Sequence, residues 1–209
     1  MPHPGMAFSL LLAAAFVLRF GPVFEHLVRL HLGPTFWVVT VGILILNVAT
    51  ARQIWSDRAS YHLVLPTLND ALVYGVGLGL VILGLNAGAV SLAHGTKPVL
   101  PNMSTLPVFL FHAIAQFLIA ANVEEPIFRG FLWGHLRRRG QLDWSVFLIQ
   151  AFLFFVAHLY YAEPGKYIYW FNTLIMGLGF GFAAWRTRSI LPAMIAHAIA
   201  NCGSLLFAK

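Results

Sequence analysis

A single cysteine, Cys202, in 209 residues rules out an intrachain disulfide and a cysteine-only metal site. It lies beside Asn201 near the end of the chain and reads as a small packing residue. Charge is scarce as well. Asp, Glu, Lys and Arg together make up 10% of the residues, against roughly 25% in an ordinary soluble domain. No clear internal repeat, low-complexity tract or long linker interrupts the sequence, which excludes a solenoid or a string of modules and leaves one domain over residues 1–209. Basic residues outnumber acidic ones by 13 to 7. They sit at the ends of apolar runs rather than on one continuous face, so a nucleic-acid partner is not expected.

What is present is apolar. Hydrophobic residues account for 59% of the chain, with 18 phenylalanines, and a chain of this length cannot hide so much apolar surface in a core of its own. The solvent is lipid, and the expected fold is all-α, a polytopic membrane protein. Crossing a hydrocarbon core of roughly 30 Å takes about 20 apolar residues. Seven runs qualify, over about 6–28, 34–55, 69–93, 107–136, 143–162, 167–186 and 190–207. The first is the least regular, because Arg19, Gly21-Pro22 and Glu25 interrupt it after Met6–Leu18. No Lys or Arg precedes that stretch, so the positive region of a signal peptide is missing and a kinked first span is expected.

Loop charge sets the orientation. With the N-terminus cytoplasmic, inside loops carry Arg52, Arg58, Arg137, Arg138, Arg139, Arg186 and Arg188, while outside segments carry Arg29, Lys97, Lys166 and Lys209. This bias follows the positive-inside rule, and the Arg137–Arg139 cluster dominates it. The protein is expected in the cell (inner) membrane, in contact with its lipid. Small-residue pairs one turn apart, Gly75 and Gly79, Gly84 and Gly88, Gly177 and Gly181, mark faces where helices approach closely.

Ionisable groups within spans are costly and therefore candidates for function. The fourth span holds Glu124, Glu125 and Arg129, with His112 and Gln116 two to three turns earlier; the fifth holds His158; the seventh holds His197 and Asn201. The other histidines, His3, His26, His31, His62, His94 and His135, fall near ends or loops, where a solvated or interfacial state is expected. Glu125 and Arg129 are i and i+4 and can pair on one helix face. Glu124, about 100° around the helix, then points elsewhere. Pro126 cannot donate to the carbonyl of Asn122, so a kink is expected beside the glutamates. A carboxylate with an imidazole can activate water, and an imidazole with a carboxamide can stabilise an oxyanion. Singly, each feature also has a structural reading, as helix-to-helix glue or a satisfied buried histidine.

The stretch E-E-P-I-F-R resembles the E-E-x-x-x-R motif of the CPBP family, the intramembrane CAAX proteases and bacteriocin-processing enzymes. F-V-A-H, ending at His158, is similar to the family's F-x-x-x-H. The tail GLGFGFAAWRTRSILPAMIAHAIAN resembles its closing pattern, a Gly-rich helix, a basic turn, S-I-x-P and then H-x-x-x-N. The three elements keep the family's order over residues 124–201, whereas the first hundred residues match only in being membrane spans. The resemblance implies an α-helical intramembrane endopeptidase with its catalytic core in the last four spans, about 107–207. Its substrate would be a peptide or protein, C-terminally lipidated (CAAX-type) or membrane-anchored. By position, Glu124 would be the base that activates water with His158, His197 and Asn201 would hold the oxyanion, and Glu125 with Arg129 would be the supporting pair.

The family is often labelled metalloprotease, and Glu124, His158 and His197 are an alternative zinc (or other divalent metal) set with an open position. No H-E-x-x-H places two ligands on one helix, and Asn201 suits an oxyanion hole, so the expected cofactor is none. Two rival readings are a non-catalytic scaffold or regulator keeping the family fold, and a small proton-coupled transporter. The full polar set argues against the first, and the absence of a duplicated half with a second broken helix against the second.

Depth follows from the same numbering. Glu124 precedes Arg137 by 13 residues, about 20 Å at the α-helical rise. His197 is nine residues past Arg188, so it should lie nearer the arginine end, with Asn201 level with the glutamates. The topology is checked with Arg138→Cys in a Cys202→Ala background: in sealed vesicles a membrane-impermeant maleimide should reach it only from the cytoplasmic side. Labelling only from the opposite side would invert the assignment.

Overall fold

The computed structural model describes residues 55–159, 162 and 164–207. The spans expected over 6–28 and 34–55 lie outside the described residues, apart from Trp55 at the end of the second. No strand occurs among the described residues, which form five helical elements. Helix α1 is Leu68–His94. Helix α2 is a continuous run of segments, Leu106–Gln116, Phe117–Ala121, Asn122–Glu125, Pro126–Leu132 and Trp133–Arg138. Helix α3 is Asp143–Val156, α4 is Tyr167–Thr187, and α5 is Ile190–Phe207, whose last turns from Asn201 tighten to a 3-10 helix.

Local chemistry sets the ends. Thr67 caps α1: its hydroxyl accepts the Asp70 N–H at 3.1 Å and donates to the Asp70 carboxylate at 2.8 Å. The same helix stops at Gly95, whose φ of 66° is the left-handed conformation that glycine adopts at no cost. Asn102 accepts the N–H groups of Ser104 and Thr105 at 3.0 and 3.1 Å just before α2. Ser189 caps α5 through Leu191 N–H at 3.3 Å.

Three of these elements, α1, α4 and α5, are long and apolar enough to cross a membrane. Helix α3 corrects the expectation of a span over 143–162. Its 14 residues reach only about 21 Å at 1.5 Å per residue. The α-helix gives way to a turn at Ala157 and His158, and Gly165 has φ 81°. His158 therefore stands just past a helix end rather than inside a span. The kink expected at Pro126 also takes another form. The missing N–H is absorbed by widening: Pro126–Leu132 is π-helical, and so is Phe117–Ala121. Wide turns of this kind recur at functional sites, and here they flank Glu124 and Glu125 on both sides.

Helix α5 packs against α1, α2 and α4, and α4 packs against α3. Two of the three glycine pairs make these approaches possible. A Cβ at Gly75 would sit 3.0 Å from Ile195 Cβ, and one at Gly79 would sit 2.9 Å from Ala196 Cα. A Cβ at Gly177 would stand 3.1 Å from the Ala151 carbonyl oxygen, and one at Gly181 would strike the Gln150 carboxamide. At Gly84 and Gly88 no atom among the described residues lies within 4 Å of such a Cβ.

The arginines gather at one end of the bundle. Arg137 Nε and Arg188 Nη2 hold the two oxygens of Asp143 at 2.8 and 2.9 Å, and Arg138 reaches Asp57 at 2.6 Å. Beneath them lies a buried plug of Tyr61, His62 and Trp133. His62 corrects the expectation of a solvated histidine: it is 1% exposed, its ring lies 4.9 Å from that of Trp133, and its carbonyl accepts Ile190 N–H at 3.0 Å. Burial, with the nearby Arg188 charge, depresses its pKa to about 4. Between pH 4 and the unfolded value of 6.5 the unfolded chain binds the extra proton, so the His62 contribution is complete above that window and is lost as pH falls through it. Thermal unfolding in detergent should show this loss between pH 6.5 and 4, and His62→Gln should flatten that part of the profile relative to the parent. An unchanged slope in the variant would contradict the assignment.

Candidate active site

The site is assembled from α2, the end of α3, and α5. Glu125 is fully buried, and its Oε1 takes two partners. Arg129 Nη1 donates to it from one turn along α2 at 3.2 Å, and His197 Nδ1 donates from α5 at 2.7 Å. Arg129, also 0% exposed, sends Nη2 to the carbonyl of Gly177 on α4 at 3.0 Å and lies 4.5 Å from the centre of the Phe154 ring of α3. The supporting pair expected from the i, i+4 spacing is therefore present and reaches three other helices. His197 is further fixed by stacking on Phe180, 4.8 Å between centroids and 14° between planes.

Glu124 turns away from this cluster, as its place on the helix requires. Its Oε2 stands 3.7 Å from His158 Nε2. The other nitrogen of His158, Nδ1, is 2.7 Å from the Phe154 carbonyl, four residues earlier. A carbonyl can only accept, so Nδ1 carries a hydrogen, and Nε2 is the nitrogen that faces Glu124. Asn201 donates Nδ2 to Gln116 Oε1 at 2.8 Å. This corrects the expected depths. His197 is level with the glutamates, and Asn201 lies farther from the arginine end, opposite Gln116. Helix α5 runs antiparallel to α2, and the π-helical Pro126–Leu132 advances less per residue than α-helix, which draws the glutamates toward His197.

Glu124, His158, His197 and Asn201 all line one cavity of about 620 Å³, within the range of roughly 300–1,000 Å³ usual for binding sites. Two asparagines from helices without a motif, Asn86 of α1 and Asn172 of α4, also line it. Sequence reasoning passed over both, and treated Gln116 as too far from the glutamates to matter. A buried carboxamide in an apolar run was the available signal. Gln150 was missed too: its Nε2 shares the Gly177 carbonyl with Arg129, at 3.3 Å. The glycine at 177 thus serves a close helix approach and an exposed acceptor together. Among the described residues, no three His, Cys, Asp or Glu side chains converge closely enough to hold a metal ion.

Residues 105–203 match the family model of the type II CAAX prenyl endopeptidase Rce1-like proteins. The matched stretch, just under half of the chain, holds every motif position described above. Over it, the chain is similar to this family of CAAX-type membrane proteases, with its motifs in the order the family model spans. No curated protein and no solved structure matches the chain.

The geometry makes Arg129 the tie between four helices. Removing one member of a buried ion pair costs on the order of 3–5 kcal/mol in soluble proteins, because the other charge is left uncompensated. Arg129→Ala is expected to lower detergent-solubilised yield and Tm sharply, whatever the substrate. A variant melting with the parent would refute the structural role.

Proposed function

We propose that this protein is an intramembrane endopeptidase in which Glu124 and His158 activate a water molecule against a peptide bond. One observation supports this above the others. Glu124 Oε2 and His158 Nε2 face each other at 3.7 Å, and both residues line the cavity. That separation is too long for a direct hydrogen bond and leaves room for a bridging water. A water about 2.8 Å from each bridges them, donating one hydrogen to the carboxylate and one to the ring. Its oxygen lone pairs are then directed into the cavity. In this reading Glu124 takes the proton as the oxygen attacks the scissile carbonyl, and returns it to the leaving amine.

The developing oxyanion is met from α5. In this reading His197 carries a hydrogen on both ring nitrogens beside the Glu125 carboxylate, donating Nδ1–H to Glu125 and Nε2–H to the cavity, and Asn201 keeps one N–H beyond the one given to Gln116. Two such donors fit a tetrahedral intermediate, and losing one in other hydrolases costs about 10²–10³ in rate. In this reading water activation requires no resident metal. The substrate class is a lipidated or membrane-anchored peptide, since the pocket lies at membrane depth.

Purified protein in detergent, offered a panel of C-terminally lipidated and membrane-anchored peptides, tests the proposal. Glu124→Gln should lower turnover by about 10²–10⁴, the usual worth of a positioned general base, and leave Tm close to the parent. Turnover near the wild-type rate by folded Glu124→Gln would sink the assignment. Treatment with 1,10-phenanthroline should leave the wild-type rate unchanged. Loss of activity restored by added zinc would instead place a metal in the reaction.

A further inference from the structure

We propose that the cavity is entered from the non-cytoplasmic side of the membrane, so that the substrate is an exported or tethered peptide segment presented at that face. The inference rests on the peptidase reading for the word substrate, and on separate observations for the direction.

The first observation is where the lining residues fall along their helices. Asn86 and Val90 belong to the second half of α1, Tyr169 and Asn172 to the first half of α4, and Ser204 and Phe207 to the last turns of α5. These halves point to the same end of the bundle, since neighbouring helices alternate in direction. Lys166, Tyr169 and Ser204 are exposed at the rim, whereas Glu124 and His197 are buried at the floor. The cavity thus runs from the middle of the bundle to the end carrying the α3–α4 connection.

The second observation is what fills the other end. Between the glutamates and the arginines, the side chains of Phe128, Arg129, Trp133, Tyr61 and His62 are each no more than 2% exposed. The Ser189 hydroxyl seals this end further by donating to the Val64 carbonyl at 2.6 Å. Beyond the plug stand Arg137, Arg138 and Arg188, paired with Asp57 and Asp143. A peptide approaching from the arginine end meets packed aromatic side chains, whereas one arriving at the opposite end meets an open rim.

Charge then names the two sides. The arginine cluster is the strongest positive-inside signal in the chain, and that rule assigns it to the cytoplasm. The open rim therefore faces outward. A C-terminus lipidated in the cytoplasm would reach the closed end, while a chain already exported, or anchored with its polar part outside, would reach the open one.

The test reads accessibility rather than turnover, so failure of the peptidase reading leaves it intact. Single-cysteine variants Ser204→Cys and Tyr169→Cys at the rim, and Arg138→Cys at the other end, are made in the Cys202→Ala background. Each is treated with a membrane-impermeant maleimide in right-side-out and in inverted vesicles of the expressing cell. Both rim variants are expected to react in right-side-out vesicles and not in inverted ones, with Arg138→Cys showing the reverse. Reaction of the rim variants only in inverted vesicles, or in neither preparation while both variants stay folded, would overturn the proposal.

Discussion

Everything in the described fold converges on the Glu125 carboxylate. It is fully buried, it holds Arg129 within its own helix, and it holds His197 on α5. A carboxylate, a guanidinium and an imidazole without access to water would each be strongly unfavourable alone. Together they compensate, Arg129 Nη2 donates to the Gly177 carbonyl, and the guanidinium lies over the face of Phe154. The cluster can form only if α2, α3, α4 and α5 sit at the right separations. The glycines at 177 and 181, the tight α1–α5 approach at Gly79, and the stacking of Phe180 on His197 are the means by which they do.

This arrangement divides labour between two adjacent glutamates. Consecutive helical residues point about 100° apart, so one carboxylate can be committed to architecture while its neighbour faces a cavity. Glu125 Oε1 is engaged by two cationic or donor partners, Arg129 and His197. Glu124 faces His158, a histidine whose own orientation is fixed by a backbone carbonyl at the end of a short helix. The early end of α3 matters for this reason. A full-length span would have placed His158 in the middle of a helix, whereas the turn at Ala157 puts its ring beside Glu124 at the cavity.

Much of this was legible in the sequence, because charged groups in an apolar chain are conspicuous. Glu124, Glu125, Arg129, His158, His197 and Asn201 stood out by chemistry and spacing, and the structure brings Glu124 to His158 and Glu125 to both Arg129 and His197. What escaped had no periodic or compositional signature. The π-helical turns leave no pattern, since a proline predicts only a lost hydrogen bond and not how the helix absorbs it. The depths of His197 and Asn201 were misjudged because a uniform 1.5 Å rise fails across those turns. His62 was read as solvated because it lies in a loop, although that loop folds back as a plug.

The central claim is that Glu125 and His197 are one energetic unit that leaves Glu124 available for chemistry. A double-mutant cycle on thermal unfolding in detergent, using Glu125→Gln, His197→Phe and the pair, measures that unit directly. The account predicts a coupling energy within the range of about 0.5–3 kcal/mol seen for residues sharing a polar network, with the double variant less destabilised than the sum of the singles. Additivity within about 0.3–0.5 kcal/mol, the behaviour of independent sites, would contradict it.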